Sequence, residues 1–451
     1  MTSHARAVAG VAGLLLALAP TVARGNGRPP ATTSVHVRPG VPDDIYLAVT
    51  FGLLVSHDGG CSFRWVCEDN IGYGGTFDPK YEVATDGTIY AATFAGLRVS
   101  HDGGCSFETA TADLPRGDAN RFAELWVDAI DLGADGTAWV GTAETAGPND
   151  VYRSTDGGHA WTAMGLATAT IWWKSIVVAP SDGARVYVAG YELAHPDDGV
   201  PDPTAHLRRT DDGGATWNAL PLTDVTTAST PVVKVAAIAP DDADTLWLRS
   251  VAAAAPNGDV LYRSTDGGNT WQEVLSPGAA IGDVLVQADG TVLAAVPGVG
   301  LMASTDGGVS FALQGVPPRL GCLAQADDGD LLACGANWDP DFQALGRSVD
   351  GEAWSKVFRF VEMAGPVTCP AGTVQHDVCE IEQWPSIERQ FAVTGVSCGE
   401  PEVDGAPAVD ARVDDDGGGG GCCQGGAGGA AAPAGLVVVG VGALRRRRAR
   451  R

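Results

Sequence analysis

The chain has 451 residues, 45% of them hydrophobic, and a formal net charge of −26. That length and apolar content support a large core, while the acidity disfavours nucleic acid and anionic lipid as partners of the folded part. Only four lysines occur among 29 basic residues, a bias that fits an Ala- and Gly-rich composition and by itself names no function.

Residues 1–23 join a weakly basic start (His4, Arg6) to an apolar run from Val8 to Ala19 and small residues at Thr21 and Ala23. This reads as a secretory signal, cut after about Ala23. The octet SHDGGCSF then spans Ser56 to Phe63 and recurs unchanged at Ser100 to Phe107. Variants follow as STDGGHAW, TDDGGATW, STDGGNTW and STDGGVSF, and a contracted SVDGEAW, placing aspartates at Asp58, Asp102, Asp156, Asp212, Asp266, Asp306 and Asp350. Their separations are 44, 54, 56, 54, 40 and 44 residues, the period of a stacked or radial array.

Each copy is a turn. The Asp carboxylate accepts backbone N–H groups, Gly takes φ > 0, and the preceding Ser or Thr bonds locally. The aromatic that follows starts a strand. Upstream of each copy lies a second repeat, an Asp/Gly turn followed by an apolar strand, as in PDDIYLAVT and ATDGTIYAAT. Apolar strands precede these turns, such as KSIVVAP and VKVAAIAP. The unit is therefore four strands, A to D, with the DGG turn between C and D. Seven such antiparallel units make an all-β fold, a single seven-bladed β-propeller. The blades are expected near 31–68, 76–112, 121–166, 170–221, 231–276, 280–315 and 318–362.

These repeats resemble the Asp-box, S-x-D-x-G-x-[ST]-W, of sialidase-like propellers. The same box occurs in xyloglucanase-type glycoside hydrolases, sortilin-like receptors and photosystem-assembly propellers. The resemblance covers roughly residues 33–362 and implies architecture more than activity. In those families the box lies at the blade periphery, which implies that the seven aspartates are structural and neither ligate metal nor catalyse. A sialidase would need an Arg-Ile-Pro stretch before blade 1, and HVRPGVP at 36–42 does not match it. A xyloglucanase sets its cleft between two propellers, and this chain has repeats for one.

Loops of variable length on a rigid scaffold carry recognition. The B–C loops and the D-to-A connections share one face of a propeller. The candidate ligand-binding residues there are Tyr73, Phe77, Asp78 and Lys80; Trp172, Trp173 and Lys174; Tyr191 and Glu192; and Trp338 with Asp339. Aromatics beside carboxylates suit sugar or peptide, although Trp172 and Trp173 equally suit an inter-blade core. His195, Asp197, Asp198 and Asp202 lack the alternate-residue spacing of a calcium loop. No catalytic residue, metal ligand or cofactor is assigned. The expectation is a non-catalytic propeller that binds a glycan or a protein at the cell envelope. The alternative is a glycoside hydrolase of sialidase or xyloglucanase type, which requires paired carboxylates.

Ten cysteines in an exported chain point to disulfides. Cys322 and Cys334 flank the A–B turn of blade 7 and are expected to bridge. Cys61 and Cys67 lie too far apart along one strand to pair with each other. Cys369, Cys379 and Cys398 fall in a separate small segment, 363–400, and their partners stay open. Residues 401–421 form an acidic Gly-rich linker, disordered by composition. Residues 422–451 carry Cys422 and Cys423, a short apolar stretch and an arginine cluster. This tail resembles the myxobacterial C-terminal sorting signal, which implies processing near the cysteine pair and attachment at the cell surface. A plain membrane anchor is the other reading.

Overall fold

The computed structural model describes residues 29–395, apart from 75–76, 146, 255–257, 316–320 and 340. The signal segment 1–23, the linker 401–421 and the tail with Cys422 and Cys423 lie outside the described residues. Seven antiparallel sheets follow one another at 32–66, 80–109, 127–163, 172–219, 233–275, 283–313 and 323–358. Each is a four-stranded meander, and the inner strand A of every blade faces a central channel. The fold is the expected seven-bladed propeller.

The B strands show why these segments fold as they do. Ile45–Val49, Ile89–Thr93, Ala138–Thr142 and Val292–Val296 are buried at every position, because both faces of a blade are covered by its neighbours. A strand covered on both faces reads as a continuous apolar run. Large aromatics fill the seams: Trp139 and Trp173 lie in the core between blades 3 and 4, and Trp247 packs with Ile281 and Val284 between blades 5 and 6.

The repeated aspartates close the C–D turns. In the first, Ser56 Oγ donates to Asp58 Oδ1 at 2.8 Å and accepts the Gly60 N–H at 3.0 Å. Asp58 also accepts the Ser62 N–H at 2.8 Å and its hydroxyl at 2.6 Å. The same set recurs at Asp102, Asp212, Asp266 and Asp306. Asp156 keeps the Ser154 hydroxyl and the Ala160 N–H, having no hydroxyl at 160. The contracted copy compensates by turning Asp350 onto the Glu352 and Ala353 amides at 2.8 and 3.0 Å. Gly60 has φ of +92°, and a Cβ there would meet Val357 of blade 7 at 2.8 Å, so glycine serves both the turn and the blade contact.

The ring closes without exchanging a strand, since blade 1 and blade 7 each supply their own four. At this seam Thr32 Oγ1 donates to the Ala344 carbonyl at 2.9 Å. One hydrophobic cluster runs through both blades, with Val35, Leu47, Phe63, Leu332, Leu345 and Phe358 among its members.

The Cys-containing extension after blade 7 packs on blade 1. Gly365–Pro366 pairs in parallel with Arg64 and Trp65, adding a fifth strand to blade 1. A π-helical segment, Gln375–Gln383, runs into an α-helix, Trp384–Phe391. Phe391 packs on Phe51 and Phe360, with ring centroids 4.9 and 5.5 Å away. The fully buried Gln375 donates to the Trp65 carbonyl at 2.7 Å, which also accepts the Val367 N–H at 2.9 Å. Disulfides Cys67–Cys379 and Cys105–Cys369 tie this extension to blades 1 and 2. Cys61 is disulfide-bonded too, and the expected Cys322–Cys334 bridge is present.

Candidate functional site

Strand A is the edge of each blade, so part of its backbone N–H row has no ladder partner. Side chains from the adjacent blade supply acceptors. Asp131 accepts the Val178 N–H at 2.6 Å, Ser175 Oγ accepts that of Val235 at 2.8 Å, and Asp283 accepts that of Leu323 at 3.0 Å. These groups stitch blade to blade along the channel wall. Burial raises the Asp131 carboxyl to about 7 against the pull of the Val178 and Leu132 amides. Glu82, deeper in the channel, is pushed well above the usual carboxylate range by burial and then by Asp131 and Asp283. His36, 3.9 Å from Glu82, is pushed down to about 4 by burial.

The loop-face mouth of the channel is a cavity of about 350 Å³, and Lys80, Asp128, Lys174, Lys234 and Asp283 are among its lining residues. These charged residues occupy the first three positions of strand A in blades 2 to 6. Asp128 receives Lys80 at 2.6 Å and also Lys174. Lys174 lies over the Trp126 ring, 4.1 Å from its centroid, a cation–π contact. Beside it is an aromatic patch on the same face. Phe77 stacks on Phe94 at 5.8 Å with 10° between planes, and both rings lie 5.2–5.3 Å from Trp126. Phe77 and Phe94 are 54% and 53% exposed, in contrast to the buried aromatics of the seams.

The sequence-stated candidates therefore divide. Phe77, Lys80 and Lys174 meet at the mouth and the patch. Asp78 flanks them, half-buried. Tyr73 is buried between blades 1 and 2, and Trp173 between blades 3 and 4, so neither is on the surface. Trp172–Ala179 is strand A of blade 4 rather than a connection. Trp172 packs edge-on against the buried Tyr191 at 5.3 Å. Glu192 is buried, accepting from Thr170 Oγ1 at 2.9 Å and pairing with His206 Nε2 at 2.9 Å. Trp338 and Asp339 are exposed in the B–C loop of blade 7, and Trp338 makes no ring contact with the patch among the described residues. The loop at His195 is a single 3₁₀ turn, Pro196–Asp198, closed by a bridge from His195 to Val200. Among the described residues no group of three or more His, Cys, Asp or Glu is arranged to hold a metal ion.

Phe94, Trp126, Asp128 and Lys234 were missed. Phe94 sits in a two-residue B–C turn too short to attract attention. Lys234 and Asp128 lie in apolar strands, and only alignment of strand A from blade to blade would have placed them beside Lys80 and Lys174.

No family model and no curated protein matches the chain. Solved structures do resemble it. YCF48 from Cyanidioschyzon merolae is 15% identical, with a TM-score of 0.45, over 67% of this chain and 92% of that one. A structure of YCF48 bound to D1 peptide is 15% identical with a TM-score of 0.35, over 51% of this chain and 67% of that one. The GH74 xyloglucanase from Xanthomonas campestris is 16% identical with a TM-score of 0.37, over 71% of this chain and 57% of that one. Likenesses this distant carry no functional information.

Proposed function

We propose that the protein is an exported, cell-surface-associated propeller that binds a glycan or protein partner on its loop face and catalyses no reaction. The observation that carries this is the Phe77–Phe94 pair, exposed and packed on the half-buried Trp126 beside the charged channel mouth. Exposed apolar surface costs free energy, and a contiguous patch rimmed by polar groups marks an interaction site. The seven C–D turn aspartates, at the other face, spend their oxygens on their own turns. Against the hydrolase alternative stands the engagement of the channel acids: Asp128 holds two lysines, and Asp131 and Asp283 hold backbone amides. Attachment by way of the C-terminal tail belongs to the same proposal and rests on the resemblance of residues 422–451 alone.

The test is binding of the mature protein to an arrayed panel of envelope polysaccharides and envelope proteins. Phe77→Ala with Phe94→Ala is expected to weaken capture about tenfold or more, as loss of an aromatic anchor does. The thermal transition should be unchanged. Undiminished capture by a folded double variant refutes the assignment of this face.

A further inference from the structure

Three of the chain's four lysines, Lys80, Lys174 and Lys234, come from blades 2, 4 and 5 to one cavity, in a protein of net charge −26. Gathering cations at a partly dehydrated mouth is unfavourable unless they are paired. The pairing here is incomplete. Asp128 serves both Lys80 and Lys174. Asp283 is taken by the Val284 and Leu323 amides. Asp259, 3.8 Å from Arg249, is taken by the Ala252 and Ile281 amides. Among the described residues the Lys234 ammonium has neither a hydrogen bond nor an ion pair. It is driven well below the usual lysine range by Lys80, by burial and by Arg249, with Asp259 opposing. Burial lowers Lys174 to about 6, helped by Lys80 and Lys234, and lowers Lys80 to about 8, helped by Arg249. The Lys80 side chain is still 42% accessible, so the cluster opens to solvent through the mouth.

We propose that the loop-face mouth of the channel is a recessed subsite for a small oxyanion, a carboxylate or a phosphate group, held by Lys80, Lys174 and Lys234. It deepens the loop-face reading above and rests on it for the molecule that carries the anion. The cavity is at the small end of ligand sites, which suits one charged group and its nearest atoms rather than a folded surface. An anion there supplies the counter-charge that Asp128, Asp259 and Asp283 do not. It also restores protons to the lysines. Their affinity for protons is lowered in the empty site, so anion binding takes up protons and strengthens as pH falls.

The experiment is calorimetric titration of the mature protein with sodium glucuronate and, separately, with inorganic phosphate at pH 6, 7.5 and 9. Two buffers of different ionisation enthalpy report the protons. The expected result is binding of at least one anion; glucuronate, whose charge is constant over this range, should take up protons and weaken as pH rises from 6 to 9, by about tenfold for each pH unit over which one proton is linked. Glucuronate alone marks a carboxylate subsite, and phosphate alone marks a phosphate subsite. Lys234→Met should weaken the bound anion at least severalfold, and Lys234→Arg should retain it, with thermal unfolding confirming that both fold. The Phe77→Ala, Phe94→Ala protein should keep its anion affinity, so failure of the aromatic surface and failure of the subsite are read separately. Binding of neither anion, glucuronate binding without proton uptake, or full affinity in Lys234→Met overturns the proposal.

Discussion

Removing the Cys67–Cys379 disulfide by a double substitution to alanine should destabilise the propeller strongly, and the structure sets the size. The two residues are 312 apart, but Cys105–Cys369 lies within that interval. With the inner bond intact, 38 residues separate Cys67 from Cys105 and 10 separate Cys369 from Cys379, so the bond closes a loop of 48 residues. Chain entropy for such a loop amounts to about 4 kcal/mol. Cys61 is bonded as well, which makes that figure an upper bound. Both sulfurs are fully buried, so a small cavity term adds to the loss. The expected loss is about 2–4 kcal/mol by urea denaturation, read from the midpoint at constant slope. Breaking Cys322–Cys334, which closes only 12 residues within one hairpin, has a chain-entropy value of about 3 kcal/mol. A loss below about 1 kcal/mol on removing Cys67–Cys379 would refute the view that the extension locks blade 1.

Asp266→Ala strands the Thr270 and Asn269 amides and the Ser264 hydroxyl, and should cost about 1 kcal/mol in thermal or urea unfolding with partner binding unchanged. The C–D turns also predict an acid limit. Thr216 through its hydroxyl and amide, then Thr210, holds Asp212 at about 2. A depressed carboxylate contributes stability above its unfolded pKa near 4 and loses it as pH falls toward 2, so a circular-dichroism acid titration should show unfolding in that window. Glu82 has the opposite sign: its raised carboxyl penalises the folded state as pH rises above about 4.5. Glu82→Gln should therefore raise the melting temperature at pH 7 and have a vanishing effect near pH 4. Truncation after Asp416 should abolish surface attachment in fractionated cells, and retained attachment would refute the sorting role of the tail.

How much of this was legible in the chain follows from distance along it. A DGG turn is a local event, decided within about five residues by Asp, Ser or Thr, and glycine. Seven copies at a near-constant period therefore announced seven hairpins, and a hairpin that cannot bury both its faces alone must stack beside another. The Cys322–Cys334 bridge was readable for the same reason, lying across one predicted turn. The pairing of Cys67 with Cys379 was not, because 312 residues intervene and only closure of the ring brings blade 1 to the chain's later part. The packing of the extension on blade 1 was not readable either, because Gly365–Pro366 carries no strand pattern; it is a strand only through the free edge at Arg64 and Trp65. Tyr73, Trp173 and Phe77 are all aromatics near loops, and composition treats them alike. Packing buries the first two in seams and leaves the third on the surface. Lys80, Lys174 and Lys234 stand in three different blades. Each is a charge within the first three residues of its strand, and only the radial arrangement, which turns the same edge of every blade toward one axis, makes them a cluster.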